Sequence, residues 1–227
     1  MTYVLTMDGP AGAGKSTVAK RLSSALGIRY LDTGAMYRAV AFILDRDGIK
    51  PEDTERIREK LKGIDIELGE GVVRVNGVDV SHDIRTPEVE KVVSAYSALP
   101  VVRDALLGLQ RDQEKYGSLV AEGRDTGSVV FPNAFIKFFL TASPEARAKR
   151  RCLEREMKGE PVSYDEVLEA IKARDKFDSG RAVTPLTEPE GAVHVDTSDM
   201  SDDEVVETLT RHVREALAAN SAKEARS

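Results

Sequence analysis

One short segment near the start of the chain constrains the fold more than any other feature. Residues 9–16 read Gly-Pro-Ala-Gly-Ala-Gly-Lys-Ser, the phosphate-binding pattern of a glycine, four residues and then glycine, lysine and serine. An apolar run at 4–7 precedes it, and Val18 and Leu22 begin an amphipathic helix after it. Glycines let the backbone wrap around a triphosphate, and the positive end of the helix adds to the attraction. The segment therefore predicts a strand, a phosphate-binding loop and a helix that bind ATP or GTP.

The side chains of this loop have predictable tasks. Lys15 is expected to reach the β- and γ-phosphates, and the Ser16 hydroxyl is expected to ligate Mg²⁺. The residues expected to hold ATP are Gly9, Pro10, Ala11, Gly12, Ala13, Gly14, Lys15, Ser16 and Thr17.

The rest of the chain predicts strands that alternate with helices. Serines followed by proline or acidic residues mark helix starts at 143–145, 163–166 and 201–204. Strands that alternate with helices imply a parallel sheet with helices on both faces. The fold class is therefore α/β, a doubly wound five-stranded parallel sheet that carries the loop. Besides 4–7, the predicted strands are 28–31, 118–121, 135–140 and 192–195.

Two segments break this alternation. At 64–80, apolar and polar residues alternate around Asn76-Gly77, a strong hairpin signal, which predicts a small antiparallel sheet. At 145–180, a charge-dense helical segment is interrupted at 158–161, which predicts a hinged helical lid. We therefore predict one domain with a core (1–62, 100–144 and 182–227), an insert with its antiparallel sheet and helices (63–99) and a lid (145–181).

Composition limits the classes of partner. The 227 residues carry a net charge of −6, which argues against a general nucleic-acid-binding surface, so anionic ligands must be held by local arginines and backbone amides. No run approaches the roughly 18 to 20 apolar residues of a membrane span. Cys152 has no second cysteine to pair with and suits a reducing compartment, so a cytoplasmic location is expected.

Two polar clusters follow predicted strands. Residues 32–38 follow the second strand and include Thr33, Tyr37 and Arg38; residues 122–127, Glu-Gly-Arg-Asp-Thr-Gly, follow the third. Ligands of doubly wound sheets bind beyond the carboxyl ends of the strands. The first cluster alone is equally typical of an ordinary helix start. The second favours a site, because a Gly-Arg-Asp trio at a strand end is costly without a partner.

Two further clusters lie in the predicted lid. In 174–181, an ion pair between Asp178 and Arg181 at the end of a helix is the simpler alternative. On the helix after 143, a solvated basic face is the simpler alternative for Arg147, Arg150 and Arg151. Four clusters that each suit an anion, in one small acidic chain with a phosphate-binding loop, favour a phosphate-handling site instead.

These segments together resemble the bacterial cytidylate kinase family over nearly the whole chain. The resemblance rests on 8–17, 31–38, 84–89, 122–127 and 174–181. The first segment is shared with many nucleotide-binding proteins, whereas the others, in this order, are specific to the family. The antiparallel insert also resembles the extension of the CMP-binding region in many bacterial members. Thr126 departs from the pattern, which more often has methionine or isoleucine there, and we expect the change to be tolerated.

The resemblance implies an activity and a set of site residues. The activity is transfer of the γ-phosphoryl group of ATP to CMP or dCMP, giving CDP or dCDP and ADP. Residues implied at the CMP phosphate and ribose region are Thr33, Tyr37, Arg38, Arg103 and Arg124. Those implied at the cytosine edge are Ser94, Arg103 and Asp125, and those at the pentose hydroxyls are Asp178 and Arg181. The implied catalytic residues are Lys15 and the lid arginines Arg147, Arg151 and Arg174, with Arg150 as a less certain neighbour.

Three alternatives stay open on the sequence. Another small-molecule kinase, for shikimate or UMP, would share the loop and the arginines. A GTPase is disfavoured because the Asn-Lys-x-Asp guanine motif is missing from the sequence. A non-enzymatic module would bind ATP without acceptor-dependent turnover. The family implies a monomer whose partners are the small molecules CMP, dCMP and ATP, with no nucleic acid and no membrane.

Overall fold

The computed structural model describes residues 2–69, 71–157, 159–181 and 183–224. Its strands and helices alternate along most of the chain. In chain order they are β1 (Val4–Asp8), α1 (Lys15–Leu26), β2 (Arg29–Asp32), α2 (Thr33–Arg46), α3 (Thr54–Leu61), β3 (Ile66–Leu68), β4 (Val73–Val75), β5 (Val78–Asp79), α4 (Pro87–Ser97), α5 (Pro100–Asp112), β6 (Leu119–Glu122), β7 (Ile136–Thr141), α6 (Pro144–Met157), α7 (Tyr164–Ser179), β8 (Val193–Asp196) and α8 (Asp202–Glu224). Short 3₁₀ turns occupy Asp83–Arg85 and Gln113–Tyr116, and a π-helical turn occupies Thr126–Val130.

Five strands form the main sheet, in the order β2-β6-β1-β7-β8. β1 pairs in parallel with β6 and with β7, and β7 pairs in parallel with β8. The α/β prediction with five parallel strands is therefore confirmed, and each predicted strand boundary lies within one residue of the observed one.

The chain divides into two compact units. The first comprises Met1–Tyr30, Gly117–Gly180 and Thr184–Ser227, and the second comprises Leu31–Tyr116 and Arg181–Val183.

The core of the first unit lies on the central strands. Leu5 and Met7 of β1 are fully buried, together with apolar side chains of α1 and α8. On α8, Val205, Leu209 and Val213 recur every four residues and are buried, so one stripe of this helix packs against the core.

The predicted helix starts of the first unit are confirmed. The Ser143 hydroxyl accepts a hydrogen bond from the backbone N–H of Ala146 at 3.1 Å, ahead of α6. Ser201 and Glu204 form a complete capping box, because each backbone N–H donates to the other's side chain. The helical segment predicted as a lid forms α6 and α7, which pack around Ala148, Cys152 and Val167. Part of the predicted interruption, Lys158, lies outside the described residues.

The second unit contains the predicted antiparallel sheet, in the order β3-β4-β5. Asn76 and Gly77 both have positive φ angles, 51° and 79°, as a two-residue hairpin turn of the primed type requires. The strands are shorter than the alternation predicted, since Ile64 lies before β3. Helices α2, α3, α4 and α5 belong to the same unit. The buried Tyr96 on α4 donates a hydrogen bond from its hydroxyl to the carbonyl oxygen of Ile49 at 2.8 Å.

A membrane-span test of the described residues finds no single helix that is long and apolar enough. The helical segments Pro87–Ser97 and Pro100–Tyr116 reach the required length and apolar composition only when taken together, and the chain bends by 98° between them.

Candidate active site

The phosphate-binding loop leaves β1 in close contact with its neighbour β7. Gly9 has a φ of +145°, and a Cβ at this position would lie 1.9 Å from the backbone oxygen of Leu140. Only glycine fits this space, since that oxygen belongs to the backbone of a buried strand and cannot move aside. The first glycine of the motif is thus required by the packing of the loop.

Side chains around the loop hold its carbonyl oxygens. Every peptide bond in the described residues is trans, so the N–H that follows a held carbonyl points in the opposite direction. Successive N–H groups fixed in this way form a cradle for anionic oxygens. The held oxygens are those of Pro10, bonded by Lys15 Nζ at 2.7 Å, and of Ala11, bonded by Arg147 Nη1 at 3.0 Å.

Lys15 lies almost wholly buried at the start of α1. Burial and the positive charge of Arg124 lower the pKa of its ammonium to about 7, although the carboxylates of Glu122, Asp8 and Asp178 act in the opposite direction. A bound triphosphate would favour the charged ammonium, because opposite charges at short range stabilise it.

Ser16 and Glu122 bring oxygen atoms together beside the loop. The Ser16 hydroxyl donates to Glu122 Oε1 at 2.7 Å, and the hydroxyl of Tyr30 donates to the same oxygen at 2.7 Å. Mg²⁺ prefers hydroxyl, carboxylate and water oxygens, so these residues fit the predicted metal. Glu122 lies in the predicted cluster 122–127 but was given no role there, although an acidic residue at the carboxyl end of a buried strand is a usable signal.

Asp8, at the end of β1, fixes the turn that follows the Gly-Arg-Asp trio. Its fully buried carboxylate accepts hydrogen bonds from the N–H of Thr126 at 2.8 Å, the Thr126 hydroxyl at 2.7 Å and the N–H of Gly127 at 2.7 Å. Burial raises the pKa of Asp8, while these three hydrogen bonds lower it. Thr126, the departure from the family pattern, therefore contributes a direct bond to a buried carboxylate.

Arg124 forms an ion pair with the buried side chain of Asp178 in the first unit. Arg124 Nε lies 3.0 Å from Asp178 Oδ2, and Arg174 Nε lies 3.8 Å from the same oxygen. Asp125, next to Arg124, is also buried. The structure thus brings two predicted arginines, Arg124 and Arg174, to the carboxylate of a third predicted residue, Asp178.

The three basic residues of α6 occupy different environments. Arg147 is only 3% exposed and binds both carboxylate oxygens of Asp175, at 2.9 and 2.5 Å. Arg150 hydrogen-bonds to Thr197 through two of its nitrogens. Arg151 is 40% exposed, with Nη1 3.7 Å from Glu154. The alternative of a single solvated basic face is therefore wrong for Arg147.

In the second unit, Asp32 organises the start of α2. One of its oxygens accepts a hydrogen bond from the N–H of Ala35 at 2.7 Å, and the other lies 2.9 Å from Arg38 Nη2 and 3.3 Å from Arg85 Nη2. The predicted helix start at 32–38 is thus present, and its aspartate orients Arg38. Arg85, outside the predicted site residues, lies beside the same carboxylate.

Arg103 lies on α5 and contacts a second predicted residue. Its guanidinium donates to the carbonyl oxygen of Ser97 at 3.0 Å and lies 5.2 Å from the centre of the Tyr37 ring. Thr33 is buried and Ser94 is half-buried. Arg181 belongs to the second unit.

A parallel five-stranded sheet with a glycine loop, lysine and serine after its first strand defines the P-loop class of nucleotide-binding proteins. The family model described as cytidylate kinase matches residues 5–215. The chain belongs to the cytidylate kinase family, which confirms the resemblance seen in the sequence.

Individual relatives agree with this membership. The cytidylate kinase of Caldanaerobacter subterraneus subsp. tengcongensis is 50% identical over 214 residues, which cover 94% of this chain and 96% of the relative. That of Fervidobacterium nodosum is 47% identical over 211 residues, 93% of this chain and 96% of the relative. A crystal structure of an uncharacterised protein from Eubacterium ventriosum, 14% identical, has a TM-score of 0.51 over 95% of this chain and 99% of its own, and shows a shared fold.

Proposed function

We propose that the protein transfers the γ-phosphoryl group of ATP to CMP, and to dCMP, giving CDP or dCDP and ADP. The observation that carries this proposal is the phosphate-binding loop with its buried Lys15, in a chain that matches the cytidylate kinase family over residues 5–215.

The donor side of the reaction would use positioning and charge neutralisation. Backbone N–H groups of the loop, within residues 9–17, would bind the triphosphate, and Lys15 would bind its β- and γ-phosphates. The acceptor is already an anionic phosphate oxygen of CMP, so the attack needs no general base. The arrangement of charges would then account for most of the rate enhancement.

Ser16, with Glu122 beside it, would hold Mg²⁺, and the 2.7 Å contact between their oxygens supports this assignment. When bound, the ion would neutralise charge on the β- and γ-phosphate oxygens.

The acceptor side would rely on arginine. The planar guanidinium group matches the geometry of a phosphate better than an ammonium group does. Arg38 and Arg124 are each oriented by a carboxylate, of Asp32 and of Asp178. A guanidinium has five N–H donors, so one carboxylate partner leaves donors for a phosphate. The remaining acceptor assignments, by resemblance, are Thr33, Tyr37 and Arg103 at the phosphate and ribose region, Ser94, Arg103 and Asp125 at the cytosine, and Asp178 and Arg181 at the pentose.

The division into core, insert 63–99 and lid 145–181 completes the proposal. By resemblance, the arginines of the lid are Arg147, Arg151 and Arg174. Closure of the lid would exclude water and so limit wasteful hydrolysis of ATP. A monomer in the cytoplasm is proposed by analogy with the family.

A coupled assay of ADP release with four acceptors tests the proposal. CMP, dCMP, UMP and AMP are each supplied with ATP and Mg²⁺. We expect the highest turnover with CMP or dCMP. A preference for UMP or AMP would assign a different kinase activity, and ATP binding without acceptor-dependent turnover would indicate a binding module.

A further inference from the structure

We propose that Arg147 and Asp175 together fix the phosphate-binding loop in the form that accepts ATP. In this role Arg147 is a positioning residue, which acts through the loop and does not contact the transferring phosphoryl group. The inference rests on the proposed function for its kinetic consequences, and it narrows the catalytic set to Lys15, Arg151 and Arg174.

The guanidinium of Arg147 is almost fully occupied by protein acceptors. The side chain is 3% exposed, and four of the five N–H groups that a guanidinium carries have partners. These are Nε to the carbonyl oxygen of Ala142 at 2.9 Å, Nη1 to that of Ala11 at 3.0 Å, Nη1 to Asp175 Oδ1 at 2.9 Å and Nη2 to Asp175 Oδ2 at 2.5 Å. Little donor capacity is left for a phosphate.

The aliphatic part of Arg147 also packs against the loop. Gly12 has a φ of +78°, and a Cβ added there would lie 3.4 Å from the Cβ and 3.7 Å from the Cγ of Arg147. The arginine therefore contacts the loop through its stem at Gly12 as well as through its guanidinium at Ala11.

The bond to Ala11 sets the direction of a backbone N–H. The Ala11–Gly12 peptide is trans, so its N–H points opposite to its carbonyl. Since Arg147 binds the carbonyl, the N–H of Gly12 points away from Arg147. Fixing this peptide before the nucleotide arrives lowers the ordering cost of binding, because the N–H groups that receive an anion are already aligned.

Asp175 is the residue that orients Arg147. It lies on α7, 28 residues along the chain, and binds two guanidinium nitrogens through two oxygens. Two parallel bonds of this kind fix the plane of the guanidinium. Asp175 also supplies the counter-charge to the almost buried guanidinium of Arg147. Removal of the Asp175 carboxylate would leave that buried positive charge uncompensated. Asp175 is thus a second positioning residue, linked to the loop through Arg147.

The first test is ATP binding measured by isothermal titration without CMP. Asp175→Asn and Arg147→Lys are each expected to weaken ATP binding by roughly tenfold, because each disrupts the two-point contact. The dissociation constant of CMP, measured separately, is expected to change less than about twofold. Glu169→Gln is the matched control, because it breaks an exposed ion pair with Lys172 on the same helix, 3.0 Å long. Unchanged ATP affinity in either folded variant would overturn the proposal.

The second test separates positioning from direct catalysis. In steady-state assays KM for ATP should rise by a larger factor than kcat falls in both variants, and the double variant should bind ATP no worse than the weaker single variant. A large loss of kcat in Arg147→Lys at saturating ATP, with Asp175→Asn close to wild type, would instead place Arg147 on the phosphoryl group.

Two controls keep the outcomes distinct. Circular dichroism and thermal melting identify a variant that does not fold, and the other variant then decides the result. If the wild-type protein binds ATP but does not phosphorylate CMP, the proposed function fails, whereas the ATP-binding comparison still tests the positioning role.

Discussion

Asp178, near the end of α7, accepts a hydrogen bond from Arg124 Nε at 3.0 Å, although the two residues are 54 positions apart in the chain. Asp178 is 1% exposed and Arg124 is 21% exposed. The pair connects the end of the second predicted lid helix to the Gly-Arg-Asp loop after β6. A single ion pair thus joins two of the four clusters that the sequence marks as anion sites.

Replacing Asp178 should weaken the binding of CMP. Asp178→Asn removes the charge that orients Arg124, and it alters the residue implied at the pentose hydroxyls. KM for CMP is expected to rise by roughly tenfold or more, since a hydrogen bond to a charged group contributes about 1.5–3 kcal/mol. KM for ATP should change little, and initial rates at varied CMP and varied ATP measure both values.

A double-mutant cycle identifies the source of that loss. Arg124→Lys and Asp178→Asn should be coupled by about 1 kcal/mol or more in CMP binding, because the two residues are in direct contact. Additive effects would show that the pair does not act as a unit.

The pair between Thr126 and Asp8 predicts a pH-dependent stability. In the folded protein burial raises the pKa of Asp8, so the stability that this group contributes is present below its unfolded pKa and is lost as pH rises through the folded value. The Thr126 hydroxyl reduces this loss of stability, because its hydrogen bond stabilises the ionised carboxylate of Asp8. Thr126→Val should therefore raise the folded pKa further and cost about 2 kcal/mol once Asp8 is ionised.

Urea denaturation at a series of pH values from about 4 to 8 measures this effect. The destabilisation by Thr126→Val should grow as the pH rises through the folded pKa of Asp8. Thr210→Val is the matched control, since the Thr210 hydroxyl donates to the carbonyl oxygen of Val206, which does not titrate. A loss of stability that is the same for Thr126→Val at every pH in the series would contradict the assignment.

Local sequence signals predicted the sheet well. All five parallel strands and the Asn76-Gly77 hairpin follow from short apolar runs and turn chemistry, which act within a few residues. The capping box at Ser201 and Glu204 is equally local. The π-helical turn at Thr126–Val130 was not predicted, because it is anchored by Asp8, 118 residues away in the chain.

The site was predicted less completely than the fold. The positions of Lys15 and Ser16 could be predicted, because one motif fixes both their spacing and their place in a strand, loop and helix. The burial of Arg147 could not be predicted from the sequence, because its partner Asp175 comes within reach only when α6 packs against α7. A basic run on a helix has the same sequence pattern whether it is solvated or buried against a carboxylate.

The close approach of Gly9 to β7 predicts a large steric effect. Gly9→Ala should destabilise the protein by about 3 kcal/mol or more, because its Cβ would overlap the backbone oxygen of Leu140 at 1.9 Å. Gly27→Ala is the control: its φ is +64° and no atom lies within 4 Å of the added Cβ, so only the left-handed backbone cost of about 1–2 kcal/mol applies. Equal unfolding free energies for the two variants would contradict the predicted clash.

Lys15→Ala should abolish turnover without unfolding the protein. The side chain is expected to bind the transferring phosphate, so kcat should fall by about 10³-fold or more. The melting temperature should stay close to that of the wild type, because removal of a buried cation also removes its desolvation cost. Near-normal turnover in a folded variant would refute the role given to Lys15.

The fate of the γ-phosphoryl group tests the central proposal most directly. The protein is incubated with γ-³²P-labelled ATP, Mg²⁺ and CMP, and the products are separated by chromatography. If the protein is a CMP kinase, label enters CDP in step with the ADP that forms, and none enters CDP with Lys15→Ala. Label that appears as free phosphate, or ADP that forms equally well without CMP, would contradict direct transfer to CMP.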